Sequence, residues 1–378
     1  MKTILFFALF GLLSVSHVNQ VNAEQNLSTA AWQVSEKGVI IETVAGHQAF
    51  RLDAGELTAK DTLMQDGVIE FDMFSSGERA FFYVYFRQQS KQDSEVVYIR
   101  THKSKAPDTI QYAPVFQGRS AWQIYHGKTG TASAYIPAEQ WVHVKLKIHG
   151  QFVSIWVGDN VEPVVKNMPL SRTAKSGSIT IRGNIPRQSA ASYSAYVRNI
   201  HITPTTPAIT EDTLPIYENT QLTQFSVSQV FAADKSAILN IPEAIIDKAW
   251  TTIPLQPDGK LEFLRWRSIP KGIRTWAVVA DIQLNSEQAQ ACLLEVGFSD
   301  TLTLYLNNQA LVYADASYRY SENRQEGLLH DKQLTVFLPL KKGANQLRAI
   351  VADSFGGWGL LASLSECTGI TQNAPEEH

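Results

Sequence analysis

The feature that most constrains this chain is an apolar spacing of two residues, which recurs in short runs from about residue 30 onward. In the run 67–74, three apolar residues point to one side, whereas Glu70 and Asp72 point to the other. Successive side chains of a β-strand face opposite ways, so this alternation predicts half-buried strands. Turn residues separate the runs, for example at 75–77 and 158–160. The chain is therefore predicted to be all-β, with antiparallel strands packed as sandwiches.

Helical spacing is rare, and Pro242–Trp250 is the only short candidate helix. The strand pattern is interrupted by a proline and threonine stretch, Thr203-Pro-Thr-Thr-Pro-Ala-Ile-Thr, which is typical of a linker. Two tandem sandwiches follow from this division. We expect a first sandwich over residues 24–203, a linker over 204–214, a second sandwich over 215–368 and a disordered tail over 369–378.

The first 23 residues are typical of a secretory signal peptide. Lys2 provides a basic start, residues 4–13 form an apolar core, and Val21-Asn22-Ala23 matches a cleavage site. A transmembrane anchor needs ~20 apolar residues, and this run is shorter. We therefore expect an exported protein, periplasmic or extracellular, whose mature chain does not insert into a membrane.

Composition excludes two broad classes of protein. Hydrophobic residues make up 44% of the chain, which is enough to fill packed cores and argues against general disorder. The formal charge of −3 is close to balanced, so a nucleic-acid partner is not expected. Charged residues reach only 18% and aromatic residues 10%, a combination that suits β-rich surfaces, including surfaces that meet sugars.

The two cysteines, Cys292 and Cys367, both lie in the second predicted sandwich. In an oxidising compartment they could form one disulfide, and the alternative is two buried thiols. No cysteine and histidine spacing supplies a transition-metal site. We expect no metal ligands and no cofactor, and the sequence leaves a structural calcium ion open.

Residues 95–102 contain the candidate ligand-binding strand. Alternation places Tyr98, Arg100 and His102 on the face opposite the core. The preceding run, 80–87, carries bulky residues on both faces, with Arg87 predicted on the same face as its tyrosines. Such a strand either forms the floor of a groove or is covered by loops.

The next segment adds further residues of the same kind. It contains Gln111, Trp122, Gln123 and Tyr125. Aromatic rings stack on the apolar faces of sugar rings, and arginine, glutamine and histidine exchange hydrogen bonds with hydroxyls. These residues are our predicted ligand-binding set, and the alternative is that they fill the edge of a sandwich.

Candidates for acid and base catalysis are weaker. The side chains of Glu70 and Asp72, two residues apart on a strand, are about 7 Å apart, within the range of paired glycosidase carboxylates. The Glu-Phe-Asp fragment resembles the Glu-x-Asp-x-x-Glu strand of laminarinase-type glucanases, but position 75 is serine instead of the third acid. His102 with Asp108 or Glu95 is a further possible pair.

Several motifs resemble known families. The first unit resembles concanavalin A-like jelly rolls, which include laminin-G-type, lectin, glucanase and keto-disaccharide hydrolase domains. The motifs are Asp66-Gly-Val-Ile-Glu-Phe-Asp72, Tyr98-Ile-Arg-Thr-His102, Gln111-Tyr-Ala-Pro-Val-Phe116, Trp122-Gln-Ile-Tyr-His126 and Glu139-Gln-Trp-Val-His-Val-Lys145. The second unit is similar to galactose-binding-like sandwiches such as the sugar-binding module of family 2 glycosidases. Its motifs are Gly297-Phe-Ser-Asp300, Tyr305-Leu-Asn-Asn308, Leu338-Pro-Leu-Lys-Lys-Gly343 and Phe355-Gly-Gly-Trp-Gly359.

These folds host binding, scaffolding and hydrolysis alike. The first hypothesis is an exported, non-catalytic protein that binds a polysaccharide or oligosaccharide on the aromatic, arginine and histidine face of the first sandwich. The alternatives are a glycan-cleaving enzyme of the glycoside hydrolase type and a cell-surface module that binds another protein.

Overall fold

The computed structural model describes residues 28–184, 195–207, 222–233, 250–319 and 325–372, together with residues 241 and 245. This part of the chain is all-β, as predicted, and its strands form antiparallel sheets. Three 3-10 turns lie there, at Thr101–Lys103, Gly127–Thr129 and Phe263–Arg265, and Ile245 is the one described residue in α-helical conformation. None of the helices in the described ranges is long and apolar enough to cross a bilayer.

Sixteen of the strands build the first sandwich. They are β1 (Trp32–Val34), β2 (Val39–Val44), β3 (His47–Leu52), β4 (Glu56–Ala59), β5 (Asp66–Ser75), β6 (Phe81–Ser90), β7 (Asp93–Arg100), β8 (Ile110–Tyr112), β9 (Val115–Phe116), β10 (Arg119–Ser120), β11 (Thr131–Ala132), β12 (Trp141–His149), β13 (Phe152–Val157), β14 (Val165–Pro169), β15 (Ser178–Asn184) and β16 (Ala195–Thr205). The first sheet has the order β1-β4-β15-β6-β7-β8-β11, with β9 paired to β7 and β10 to β9. The second sheet has the order β14-β13-β12-β5-β16-β3-β2.

The alternation in β5 and β12 explains how the second sheet packs. The two strands pair antiparallel, from Trp141 opposite Phe74 to Ile148 opposite Gly67. Phe71 and Val144 are opposite each other on the inner face and are completely buried. Burial of such side chains against the first sheet stabilises the sandwich by about 25 cal/mol for each Å² of apolar surface removed from water.

The second sandwich contains the remaining twelve strands. They are β17 (Gln224–Val227), β18 (Phe231–Ala232), β19 (Thr251–Pro254), β20 (Lys260–Glu262), β21 (Trp276–Ser286), β22 (Gln290–Phe298), β23 (Thr301–Leu306), β24 (Gln309–Asp315), β25 (Leu334–Leu340), β26 (Gly343–Asp353), β27 (Gly359–Ser365) and β28 (Ile370–Gln372). The third sheet has the order β19-β17-β21-β26-β23-β24, with β18 and β28 also paired to β21. The fourth has the order β20-β27-β22-β25. A disulfide joins Cys292 of β22 to Cys367, which follows β27.

The structure differs from the expected boundaries at two places. β16 continues to Thr205, inside the expected linker, because Pro204 and Thr205 still pair with β5. Ile370–Gln372, placed in the expected tail, pairs with the end of β21, and Ile370 packs against the main core. The expected signal peptide, most of the expected helix at 242–250 and residues 373–378 lie outside the described residues.

Candidate functional site

A row of three aromatic rings lies on the outer face of the first sheet. Phe82, Val84 and Phe86 of β6 are completely buried in the core, so the residues between them point outward. The outward rings are Phe81, Tyr83 and Tyr85, and all three are partly exposed. The centroids of neighbouring rings are 5.9 and 6.0 Å apart, with interplanar angles of 16° and 19°. The rings therefore form a nearly continuous apolar strip.

The neighbouring strand β15 borders this row with polar groups. Each is paired across the sheet with one ring: Thr180 with Tyr85, Arg182 with Tyr83, and Asn184 with Phe81. A guanidinium nitrogen of Arg182 lies 3.9 Å from Oε1 of Glu56 on β4. Burial raises the pKa of Tyr85 to about 12, although the charge of Arg182 opposes that rise, so the phenol is neutral at pH 7. Hydrogen-bonding groups thus stand directly beside an aromatic surface.

On the other side of the row, Tyr98 of β7 is a buried support. Its ring centroid is 5.3 Å from that of Tyr83, and only 5% of its surface is exposed. The Tyr98 hydroxyl donates to Oε1 of Gln111 at 2.7 Å and accepts from Nη2 of Arg100 at 2.8 Å. Arg100 also donates to Gln111 and, at 3.0 Å, to Oδ2 of Asp108. The three predicted residues Tyr98, Arg100 and Gln111 are brought together, as a closed network behind the exposed rings.

His102 lies just beyond β7, in the 3-10 turn at one end of the row. Its ring centroid is 5.2 Å from that of Phe81. Burial lowers the pKa of His102 to about 4, so the imidazole is neutral at pH 7. Its Nδ1 is buried and has no hydrogen-bond partner in the described structure. Asp108 pairs with Arg100 and Lys103 instead of with this histidine.

Of the predicted residues Trp122, Gln123 and Tyr125, Trp122 packs against the same apolar cluster, around Tyr98, as the rings of the row, whereas the other two lie elsewhere. All three belong to a segment, residues 117–126, that contacts the second sandwich and that we call the docking segment. The Trp122 ring packs edge-on against Tyr318 and Phe355, at centroid distances of 6.1 and 5.9 Å. The Gln123 backbone N–H donates to the carbonyl of Gly356 at 2.8 Å.

Further contacts of the docking segment are polar or involve stacked rings. The Tyr125 hydroxyl donates to Glu262, and the Arg119 guanidinium carbon lies 4.3 Å from the centroid of the Trp276 ring. Gln123 and Tyr125 are 0% and 4% exposed, respectively. Contact between the sandwiches accounts for their burial. They therefore do not line the exposed aromatic row.

Glu70 and Asp72 lie on the outer face of the second sheet, not on the first sheet. Asp72 accepts from Nδ1 of His143 at 2.9 Å and from Asn199 at 2.7 Å. Glu70 lies 3.3 Å from Nζ of Lys145. Both carboxylates therefore have cationic or amide partners. They lie on a different sheet from the aromatic row.

Arg87 differs from its prediction, because it does not share the face of the tyrosines. The pairing of β6 with β7 shifts between Phe86 and Ser90, and Arg87 has φ of 49°. A bulge of this kind re-aims a side chain. The Arg87 guanidinium instead lies 2.9 Å from Oδ1 of Asp66 and is 3% exposed.

Sequence reasoning did not select Arg182 and Asn184. The alternation in Ser178–Asn184 contained the signal, because its polar residues recur at every second position. Their position beside the aromatic row depends on the pairing of β15 with β6, strands that are about 95 residues apart in the chain. Among the residues described, no group of three or more histidine, cysteine, aspartate or glutamate side chains could hold a metal ion.

Comparison with known proteins gives a limited likeness. No family model matches the sequence, and no curated protein matches it significantly. A carbohydrate-binding module (CBM66) from Bacillus subtilis is 12% identical over 46% of this chain and 95% of its own, with a TM-score of 0.33. A galectin-like protein of unknown function from Bacillus subtilis is 13% identical over 47% and 90%, with a TM-score of 0.34. A Bacillus licheniformis beta-glucanase is 11% identical over 48% and 96%, with a TM-score of 0.33. The function is therefore inferred from the residues of this chain.

Proposed function

We propose that this chain is an exported, non-catalytic carbohydrate-binding protein that holds a polysaccharide or oligosaccharide on the outer face of the first sheet. The observation that carries the proposal is the row of Phe81, Tyr83 and Tyr85. Three partly exposed rings, tilted by less than 20° from one to the next, offer an apolar surface on which sugar rings stack.

The polar residues beside the row supply what stacking lacks. Arg182 and Asn184 would donate hydrogen bonds to sugar hydroxyls, whereas the Thr180 hydroxyl is already bonded to Thr58 and Gln88. His102, which is neutral and partly exposed beside Phe81, would meet a sugar hydroxyl at that end of the row. Tyr98, Arg100 and Gln111 support the row without touching the sugar. Their hydrogen bonds hold the Tyr98 ring in place, and that ring packs against Tyr83.

Export rests on the predicted signal peptide and on the disulfide between Cys292 and Cys367, a bond typical of oxidising compartments. We further propose that binding needs no cofactor. Thermal unfolding with and without EDTA would reveal a structural calcium ion.

A glycan array followed by calorimetric titration tests the site. We expect Tyr83→Ala and Tyr85→Ala each to weaken binding of the selected glycan at least tenfold, because each removes one stacking platform. Tyr313→Ala, which removes an exposed ring from the second sandwich, is the matched control and should leave affinity unchanged. Full affinity in both folded β6 variants would refute the site.

The two alternatives have their own readouts in the same material. Oligosaccharides incubated with the protein are analysed for new reducing ends. If cleavage products form with the parent protein and are absent with Glu70→Gln, Asp72→Asn or His102→Ala, the protein is a glycan-cleaving enzyme instead of a binding protein. A stoichiometric protein partner, recovered where no glycan binds, would favour an interaction module.

A further inference from the structure

A cavity of about 160 Å³ lies where one end of the first sandwich meets the second. Four cationic side chains from three parts of the chain line it: Arg87 from β6, Arg172 and Lys175 from the β14–β15 loop, and Arg265 from the 3-10 helix of the second sandwich. Glu95 of β7 also lines the cavity. It lies on the same inward face of the strand as the core residue Val97, whereas Tyr98 points to the opposite face. The cavity is therefore separate from the aromatic row.

Two of the guanidinium groups are held by an aromatic ring. The guanidinium carbons of Arg172 and Arg265 lie 4.5 and 4.6 Å from the centroid of Phe116. Arg172 also donates to the carbonyl of Val115 at 3.0 Å, and Arg265 to the carbonyl of Ser171 at 2.8 Å. Because these contacts fix the side chains before any ligand arrives, little rotamer freedom remains to be lost on binding.

Arg87 contributes a buried donor without an acceptor. Its Nε donates to the carbonyl of Gln65 at 2.7 Å, and its Nη2 donates to Asp66 at 2.9 Å. Its Nη1 is buried and has no hydrogen-bond partner in the described structure. Buried donors in proteins are nearly always paired, so this nitrogen has the capacity for one further acceptor, a water or a ligand oxygen.

The charges that face the cavity favour an anion. Against the four cations stand two carboxyl groups, Asp93 and Glu95, of which Asp93 pairs with Arg172. Glu95 is completely buried and accepts from the Tyr112 hydroxyl at 2.6 Å. Burial raises the pKa of Glu95 to about 7, so near neutral pH it is only partly charged. Arg87 and Arg265 are themselves ion-paired with Asp66 and Glu262, two carboxylates outside the lining, so the surplus positive charge at the cavity wall comes chiefly from Lys175.

We propose that this cavity is a second binding site, which takes the anionic substituent of an acidic sugar, a carboxylate or a sulfate ester. A guanidinium fork matches the oxygens of either group and binds them in pairs. The volume suits such a group and the part of the sugar ring that carries it, and not a longer glycan. The inference rests on the proposed function only for the class of molecule that bears the anion.

Calorimetric titration with glucuronate, a monosulfated glucose and glucose itself tests this site. We expect glucuronate or the sulfated sugar to bind and glucose not to bind at the cavity, and the stronger of the two identifies the anion. Arg172→Gln should weaken that binding at least tenfold. Lys175→Gln, a milder change in the loop, should weaken it at least threefold. Lys147→Gln, on an exposed face of β12, is the matched control and should have no effect.

The outcomes separate this site from the aromatic row. Tyr83→Ala should leave binding of the anionic sugar at the cavity unchanged, whether or not the aromatic row binds a glycan. Equal affinity for glucuronate, sulfated glucose and glucose would overturn the inference. So would full affinity in both the Arg172 and Lys175 variants, or binding of inorganic sulfate with no binding of either acidic sugar.

Discussion

The hydroxyl of Tyr125 in the first sandwich donates a 2.8 Å hydrogen bond to Oε2 of Glu262 in the second. Glu262 is 1% exposed, and Nε of Arg265 donates to the same carboxylate oxygen at 2.9 Å. Burial raises the pKa of Glu262, and both donors act against that rise. The two sandwiches thus share a buried carboxylate that needs partners from both sides.

Tyr125→Phe tests that shared carboxylate. Removing the hydroxyl leaves Glu262 with one donor fewer, which costs about 1–3 kcal/mol in the free energy of unfolding. Urea denaturation measures the loss, and affinity for glycan should be unchanged. Tyr135→Phe, on a ring that is 62% exposed, is the control and should change stability by less than ~0.5 kcal/mol. If the variant has reduced glycan affinity and normal stability, Tyr125 contributes to glycan binding, as the sequence predicted.

Glu95 predicts a pH dependence of stability. Its pKa in the folded protein, about 7, lies above the ordinary value of 4.5 because burial outweighs the hydrogen bond from Tyr112 and the charges of Arg87 and Arg265. The folded state therefore binds more protons than the unfolded state between these values. The stability from this group is fully present below pH ~4.5 and is lost as pH rises through 7, a change of about 3 kcal/mol.

Comparison of Glu95→Gln with the parent protein isolates this effect. Urea unfolding is measured at pH 5 and at pH 7.5, and the difference between the two proteins is taken at each pH. The glutamine variant should gain on the parent as pH rises, because glutamine does not ionise. The same difference at both pH values would contradict the assignment.

The buried pair Asp300 and Asp353 in the second sandwich is expected to keep a proton on one carboxyl group at pH 7. Both are nearly inaccessible, at 3% and 1% exposure, and one carboxyl oxygen of each has no hydrogen-bond donor in the described structure. Burial, followed by the charge of Asp300, raises the pKa of Asp353 well above its ordinary value. Asp353→Asn should therefore keep its stability at pH 7, because the amide donates to Asp300 as the protonated acid does. Thermal unfolding with and without EDTA is the control, since a melting temperature lowered by chelation would indicate a cation between the carboxyl groups.

The disulfide predicts a large effect on the second sandwich. Cys292 and Cys367 are 75 residues apart, so the bond restricts a long loop in the unfolded chain. Replacing both cysteines with alanine should lower the free energy of unfolding by about 2–4 kcal/mol. Chemical denaturation in the absence of reductant measures it. A double variant as stable as the oxidised parent would show that the bond contributes nothing.

Local patterns predicted more of the fold than of the site. The alternation in β5 and β12 identified strands and their buried faces correctly, because that signal lies within each strand. Trp122, Gln123 and Tyr125 look like sugar ligands in isolation. Their partners Phe355, Gly356 and Glu262 lie more than 130 residues further along the chain, and no local spacing reports such contacts.

Arg87 shows the same limit on a smaller scale. One residue in a left-handed conformation moved its side chain from the tyrosine face to Asp66. The position of Arg182 and Asn184 beside the aromatic row follows only from the pairing of β15 with β6. Periodicity indicates which way a side chain points, whereas the neighbour that it meets depends on the strand order of the whole sheet.

The docking segment has a consequence for how the molecule comes apart. Its residues Ala121, Ile124 and Tyr125 belong to one apolar core that also contains Leu261 and Trp358 of the second sandwich. Separation of the two sandwiches would expose these side chains to water on both, at a cost of about 25 cal/mol for each Å² of apolar surface. The two sandwiches should therefore unfold together, and heat should melt both in a single transition.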